Sequence, residues 1–332
     1  MCGPLVTVAV VPGERFSLTQ RSLENILAST EQRLDLIYVD GGSPAPEREY
    51  LERQADRHRF RLFRADDYLS PNVARNLAAV EVRTKYVVFV DSDVLVSRGW
   101  LEPLVDCAES TGAWVVGPVC CEARADARIH MAGGAASIFV EEGRRLLHES
   151  HGYSGRALAA VGSELRRRPT QQIDFHCALL RTDVFARLGP LDEALLSARE
   201  HTDLCLLARG SGGDVYLEPR SVVTCASPPL ETSDLPYFRS RWSHARNEAS
   251  IERFQSKWDL AVDDPGLASL RAQLTARRRR AMGPWSRVLD VLGRKSARWQ
   301  EERPLAPVEE AANRARFSHG HGARAIAATK AA

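Results

Sequence analysis

The chain has 332 residues, enough to bury a substantial hydrophobic core in one large domain or two smaller ones. Hydrophobic residues make up 44% and charged residues 27%, which is ordinary for a globular protein. A formal net charge of +2 argues against nucleic acid as the main partner.

The cysteines and the apolar runs bear on where the protein works. Seven cysteines form no C-x-x-C pair and are odd in number, which favours a reducing compartment over a disulfide framework or a zinc site. The apolar run at 5–11 is too short for a signal peptide. No segment approaches the ~18 apolar residues of a membrane span. We therefore expect a soluble, cytoplasmic protein.

Strand-like and helix-like segments alternate in the first half of the chain. We predict β-strands at 5–11, 36–39, 59–63 and 86–90, separated by helices at 17–27, 47–57 and 72–82. Strands separated by helices of this length indicate βαβ units and a mostly parallel sheet covered by helices on both faces.

The pattern becomes less regular in the second half. A Gly-, Ala- and Arg-rich stretch at 122–170 predicts irregular structure with one or two short strands around 135–140. The remaining predicted elements are a helix at 101–109, strands at 114–116 and 215–217 and a helix at 237–258, with further regular segments at 175–180, 182–188 and 198–209.

The composition shifts again near the C-terminus. Residues 263–302 contain four consecutive arginines at 277–280 and predict a basic amphipathic helical extension. The basic stretch 277–299 fits two arrangements equally: peripheral contact with an anionic membrane, or packing on the domain or on a second subunit. Residues 303–332 have little to bury, and we expect a disordered tail.

Three polar turns follow three of the predicted strands, at 12–15, 40–43 and 91–93. Ligands bind outside the carboxyl ends of strands in open α/β sheets, so we expect these turns to meet in one crevice. Asp91 and Asp93 directly follow a buried strand, and their carboxylates suit Mn²⁺ or Mg²⁺ shared with phosphate and water. The alternative is an ordinary polar turn or helix cap.

These segments resemble the nucleotide-binding half of family 2 glycosyltransferases. The matching motifs are Tyr-Val-Asp-Gly-Gly-Ser at 38–43, Ala-Arg-Asn at 74–76 and Phe-Val-Asp-Ser-Asp-Val at 89–94, in the family's order and spacing. The resemblance implies an α/β GT-A catalytic domain at 1–262. Its nucleotide-sugar-binding half would be 1–117 and its acceptor-side half 118–262.

The resemblance also implies roles for individual residues. Asp40 would hydrogen-bond the nucleobase, usually uracil, and Arg75 would lie near the phosphates. Asp91 and Asp93 would bind the ribose and the metal. The turn after the first strand matches the family only in part. The implied donor-binding residues are Pro12, Glu14, Asp40, Arg75, Asp91 and Ser92.

The second half resembles the acceptor-side segment of the same family. Glu200-His201-Thr202-Asp203 stands where the family usually has Glu-Asp-x-Asp, and Cys225 ends a segment that often carries a metal-binding histidine. Glu200 is the preferred general base, with Asp203 and His201 as rivals. The alternative for the two carboxylates is a favourable interaction with the helix dipole.

Taken as a whole, the sequence predicts metal-dependent transfer of a sugar from a nucleotide-sugar donor, and the resemblance implies a UDP-sugar by preference and inversion at the sugar. The acceptor would be a glycan, a lipid-linked or a small-molecule hydroxyl, and a homo-oligomer is left open. Two rival functions are a non-catalytic nucleotide-sugar-binding relative and a sugar nucleotidyltransferase. The second lacks the Gly-rich phosphate loop that it would need after the first strand.

Overall fold

A computed structural model describes residues 5–31, 34–282 and 327–328. Helices and strands alternate in the first half, as predicted. These elements are β1 (Val6–Val11), α1 (Thr19–Ser29), β2 (Asp35–Gly41), α2 (Ala45–His58), β3 (Arg61–Ala65), α3 (Pro71–Ala79), β4 (Tyr86–Asp91), β5 (Val94–Val96), α4 (Leu101–Thr111) and β6 (Val115–Glu122).

The second half mixes short strands with helices. Its elements are β7 (Ile129–Met131), β8 (Gly134–Glu141), β9 (Arg144–His151), α5 (Leu158–Val161), β10 (Arg168–Pro169), β11 (Cys177–Arg181), α6 (Asp183–Leu188), α7 (Glu200–Gly210), β12 (Val215–Cys225), α8 (Leu235–Arg241), α9 (His244–Trp258), α10 (Pro265–Met282) and β13 (Ala327–Ala328).

One large sheet carries the fold, in the order β10-β12-β6-β11-β4-β1-β2-β3-β13. The strands β4, β1, β2 and β3 are parallel neighbours, and their apolar side chains are buried on both faces under helices. β11 runs antiparallel to β4, with Cys177 opposite Val90. The residues just before β11 therefore lie beside the residues that end β4.

The stretch 122–170 is more regular than its composition suggested. β8 and β9 form a two-stranded hairpin in full register from Gly134 opposite His151 to Glu141 opposite Arg144. Both turn residues, Glu142 and Gly143, have positive φ angles, as tight hairpin turns require. The prediction of mostly irregular structure was wrong because glutamate seldom marks such a turn.

Two other predicted elements differ from the structure. The helix predicted at 237–258 is divided between α8 and α9, because Ser243 has extended backbone angles before α9 begins. The strand predicted at 215–217 continues as β12 to Cys225, through a register irregularity between Leu217 and Val222. This longer strand brings Cys225 beside Cys120, with 3.0 Å between the two sulfur atoms.

The helix α10 packs against the body of the protein. Leu267, Leu270 and Leu274 are buried in one hydrophobic cluster with Trp242 and Phe254. The first part of the predicted extension, which forms α10, thus packs on the folded domain. Residues 283–302 lie outside the described part of the chain, and of the tail 303–332 only β13 is described, paired with β3. None of the described helices is long and apolar enough to cross a membrane.

Candidate active site

A cavity of about 630 Å³ lies where β4 ends and β11 begins. Its volume is in the range of small-molecule sites. Residues from distant parts of the sequence line it, because the antiparallel β11, the hairpin β8–β9, α7 and α10 all reach this edge of the sheet. Of the predicted site residues, it brings together Glu14, Arg75, Asp91, Glu200 and His201.

Asp91 is the best-connected carboxylate of this cavity. Arg75 Nη2 lies 3.1 Å from its Oδ1, and His176 Nδ1 lies 3.0 Å from its Oδ2. The Arg75 guanidinium also stacks 4.3 Å above the centre of the Phe175 ring. His176 reaches Asp91 because the backbone NH of Asp91 donates to the His176 carbonyl at the start of the β4–β11 pairing.

Asp93 faces the turn after β1 instead of lining the cavity. Its Oδ2 accepts a hydrogen bond of 2.8 Å from the backbone NH of Glu14. A side chain at position 13 would place its Cβ only 2.0 Å from Asp93 Oδ1, so the close approach requires Gly13. Ser92 Oγ accepts a bond of 3.1 Å from the Gly13 NH, which ties the same turn to β4.

Negative charge is crowded around Asp93. Burial raises the pKa of Asp93 to about 6, and the neighbouring carboxylates of Asp91 and Glu14 contribute to the rise. Burial also acts to raise the pKa of Glu14, but the positive charges of Arg277 and Arg241 outweigh it and lower that pKa. Carboxylates are the ligands that hard divalent cations prefer, but the ligand atoms of Asp91, Asp93 and Glu14 do not all lie within 4.8 Å of one another in the described part of the chain.

The positive side of the cavity comes from arginines on three helices. Arg75 belongs to α3, Arg241 ends α8, and Arg277 lies on α10. Arg277 Nη1 donates to Glu14 Oε1, and its guanidinium lies 4.6 Å from the centre of the Trp242 ring. Three guanidinium groups beside carboxylates form a site that can accept an anionic ligand together with a cation.

Asp40 and Pro12 occupy the neighbouring turns and do not line the cavity. Asp40 Oδ1 accepts a 2.9 Å bond from the Ser43 NH, Oδ2 accepts a 2.8 Å bond from Ser43 Oγ, and Arg64 pairs with Oδ2. A Cβ at position 41 would lie 2.7 Å from Pro12 Cγ, so the turns after β1 and β2 pack tightly together. The β1 turn thus contacts both neighbouring turns, but of the three turns only Glu14 and Asp91 line the cavity.

Glu200 and His201 enter the cavity at the first turn of α7. Arg199 precedes them with φ of +72°, a left-handed conformation that is strained for this residue type. Glu200 is buried, and its Oε1 has no hydrogen-bond partner within the part of the chain that the structure describes. Burial raises the pKa of Glu200 against the opposing effect of Arg241 and Arg75. Burial lowers the pKa of His201 to about 3.

Asp203 is directed away from the cavity, although it lies on the same helix. Its carboxylate accepts bonds of 2.7 Å from Lys257 Nζ and 2.9 Å from Trp258 Nε1, both on α9. These contacts fasten α7 to α9. Of the three predicted general bases, the structure brings Glu200 and His201 to the cavity and leaves Asp203 outside it.

The sequence analysis missed a row of imidazoles along the cavity. Ring centres lie 5.8 Å apart for His176 and His130, 5.4 Å for His130 and His151, and 6.5 Å for His151 and His201. Asp174 joins the row, with its Oδ2 3.0 Å from His130 Nε2. These residues come from four elements or loops, so no spacing along the sequence could have signalled their proximity.

Asp174 and His176 influence each other strongly. Burial acts to lower the pKa of His176, but Asp174 and the hydrogen bond to Asp91 outweigh it, and that pKa is held well above its usual value. Burial likewise opposes ionisation of Asp174, yet His176 and His130 hold its pKa well below normal. His130, Asp174 and His176 also offer ligand atoms within 4.8 Å of one another, beside Asp91.

The mostly parallel sheet, its flanking helices and the polar cavity at the strand ends define a GT-A-like glycosyltransferase. Residues 13–188 match the family described as "Glycosyl transferase family 2", and the chain belongs to this family. A segment of 120 residues is 29% identical to polypeptide N-acetylgalactosaminyltransferase 3 of Drosophila melanogaster, covering 34% of this chain and 18% of that protein.

A solved structure supports the same fold. The chain is similar to GalNAc-T7, crystallised with UDP, GalNAc and Mn²⁺, with a TM-score of 0.54 and 16% sequence identity. The similarity covers 92% of this chain and 57% of the GalNAc-T7 chain. The chain thus spans less than two thirds of either relative, and at this identity the likeness establishes the fold alone.

Proposed function

We propose that the protein transfers a sugar from a UDP-sugar to a hydroxyl of an acceptor, with inversion and with the help of a divalent cation. The observation that carries this proposal is the pairing of carboxylates and arginines around one cavity at the end of β4. The glycosyltransferase family supports the reaction class. The UDP and Mn²⁺ in the GalNAc-T7 structure support the donor and the cation.

Asp91 and Asp93 would hold Mn²⁺ or Mg²⁺, with Glu14 as a neighbouring donor. Burial raises the pKa of Asp93 and the carboxylates of Asp91 and Glu14 add to the rise, which supports this assignment because a cation would relieve their repulsion. When bound, the cation would stabilise the negative charge that develops on the departing diphosphate. Asp93 lies against the Gly13–Glu14 backbone. Its carboxylate would therefore bind the cation together with Asp91, next to the turn after β1.

The arginines would bind the donor's diphosphate. Arg75 lies beside Asp91, and Arg241 and Arg277 lie near Glu14, so guanidinium groups from three helices would bind the phosphates. The nucleoside would extend toward the packed turns after β1 and β2, where Asp40 would bind the base. Pro12 and Ser92 would shape this end of the donor site through the tight contacts of their turns.

Glu200 would take the proton from the acceptor hydroxyl. Its carboxylate lines the cavity with one oxygen free of partners among the described residues, and a raised pKa improves a carboxylate as a base near neutrality. His201 is a poorer base, since an imidazole with a pKa of about 3 holds a proton weakly.

Donor turnover tests this proposal. The purified chain should release UDP slowly from at least one member of a panel of UDP-sugars when Mn²⁺ is present, and chelation should abolish the release. Asp91→Asn should abolish it too, whereas Asp56→Asn, a change on the exposed side of α2, should not. Metal-independent release, or equal release by the Asp91 variant, would contradict the proposed role of the cation.

A further inference from the structure

A second group of metal-ligating side chains lies at the far end of the histidine row. It consists of Glu149 and His151 on β9 and His201 on α7, and all three line the cavity. Each offers one ligand atom, and these atoms lie within 4.8 Å of one another. None of the three belongs to the carboxylate group formed by Asp91, Asp93 and Glu14.

The His201 imidazole points to a missing partner. Its Nε2 is buried and has no hydrogen-bond partner among the residues that the structure describes, which is costly for a polar atom. Glu149 Oε1 lies 3.9 Å from it, too far for a hydrogen bond. Two ligands of one Zn²⁺, each about 2.0–2.2 Å from the ion, can lie at this separation.

Burial lowers the pKa of both His151 and His201. Asp174 opposes this lowering for both residues, which places an additional negative charge near them. That charge offsets the positive charge of Arg199, which pairs with the other oxygen of Glu149.

The Glu149 carboxylate is already oriented. Thr202 Oγ1 donates a 2.9 Å hydrogen bond to Oε1, and Arg199 donates to Oε2. Partners of this kind fix the orientation of metal-binding carboxylates in known sites. Arg199 immediately precedes α7 and Thr202 follows His201 in its first turn, so this short segment would hold both a ligand and the partners of a second ligand.

We propose that Glu149, His151 and His201 form a second cation site, which binds a transition metal of the zinc class. Two imidazoles and one carboxylate are a donor set typical of Zn²⁺, whereas the oxygen-rich group at Asp91 suits Mn²⁺ or Mg²⁺. Three protein ligands leave a coordination position toward the cavity. The bound ion would therefore contact the molecule that fills the acceptor side.

Cobalt and zinc titrations without nucleotide test the proposal. Co²⁺ added to the full chain should produce visible ligand-field absorption that saturates near one equivalent, and Zn²⁺ should displace it. His151→Ala and Glu149→Gln should each lower Zn²⁺ affinity at least ~10-fold in calorimetry. His58→Ala, which removes an exposed imidazole at the end of α2, should bind as the wild type does.

Asp93→Asn separates this site from the donor site. The variant should lose stabilisation by UDP with Mn²⁺ and keep the Co²⁺ absorption, while His151→Ala should show the reverse. Thermal unfolding checks that each variant is folded, and Glu149→Gln keeps the test valid should His151→Ala unfold. No saturable Co²⁺ absorption in the wild type, or unchanged Zn²⁺ affinity in both His151→Ala and Glu149→Gln, would overturn the proposal.

Discussion

At the residue scale, Asp91 and Asp93 have different surroundings although only one residue stands between them. Asp91 ends β4 and faces the cavity between Arg75 and His176. Asp93 has passed the strand end and packs on the backbone of the β1 turn. The sequence indicates that both carboxylates lie at one strand end, but not which of them reaches the cavity.

Replacing Glu200 tests the assignment of the base. Glu200→Gln should lower kcat by roughly 10²–10⁴-fold with little effect on donor affinity, because the amide cannot accept the acceptor's proton. Steady-state kinetics with a saturating acceptor measure this change. An unaltered kcat would exclude Glu200 as the base.

The pH dependence gives an independent check on Glu200. The base must be ionised to act, and burial raises its pKa, so activity should fall as the pH drops through a value above that of an ordinary glutamate. The acidic limb of the kcat/KM profile should disappear in Glu200→Gln. A limb that persists unchanged in this variant would assign it to another group.

Asp203 should matter for stability more than for chemistry. Asp203→Asn weakens the contacts with Lys257 and Trp258 between α7 and α9, and loss of a hydrogen bond to a charged group costs about 1.5–3 kcal/mol. Urea unfolding should show a lower free energy of unfolding for the variant. Because Lys257 also contacts Asp192, part of the loss should be offset. A large loss of kcat at wild-type stability would instead support Asp203 as the general base.

At the scale of elements, the site depends on how helices and strands are arranged around the end of β4. β11 is antiparallel to β4, so Asp174 and His176, which lie just before β11, line the cavity. α7 delivers Glu200 and His201 from its first turn, and α10 contributes Arg277. Glu200 and His201 were predicted as site residues from their motif, whereas Asp174, His176 and Arg277 were not.

A core substitution in α10 tests whether this helix belongs to the folded body. Leu267 is fully buried, so Leu267→Ala should lower the free energy of unfolding by about 2–5 kcal/mol. Gln273→Ala, on an exposed position of the same helix, should change it by less than about 0.5 kcal/mol. Equal and small effects of the two changes would show that α10 is dispensable for the fold.

At the scale of the whole molecule, the parallel half of the sheet was predictable and the acceptor side was not. β1, β2 and β4 are apolar runs buried on both faces, and such runs separated by helices specify a parallel sheet. β3 starts two residues later than predicted, because Arg59 ends α2 in a left-handed conformation.

The acceptor side could not be predicted for physical reasons. The hairpin β8–β9 turns at a glutamate with positive φ, and the direction of β11 depends on long-range pairing. The histidine row exists only once those elements are in place. The position of Glu200 in the cavity was predictable because its motif is local, whereas its rival Asp203 is held by Lys257 and Trp258 of α9.

Charged side chains of both signs line this site, although the net formal charge of the chain is only +2. Arg75 pairs with Asp91 and Arg277 with Glu14. Nε and Nη1 of Arg241 are buried without a hydrogen-bond partner among the described residues, so an anionic ligand would satisfy this guanidinium.

The most direct test of the account is calorimetric titration of UDP into the protein with and without Mn²⁺. UDP should bind with Mn²⁺ and lose most of its affinity when the cation is chelated. Asp91→Asn and Asp93→Asn should each remove the Mn²⁺-dependent gain, while the exposed control Asp56→Asn should keep it. UDP binding of equal strength without the cation, or in both carboxylate variants, would contradict the central claim that these two carboxylates hold the cation against the donor.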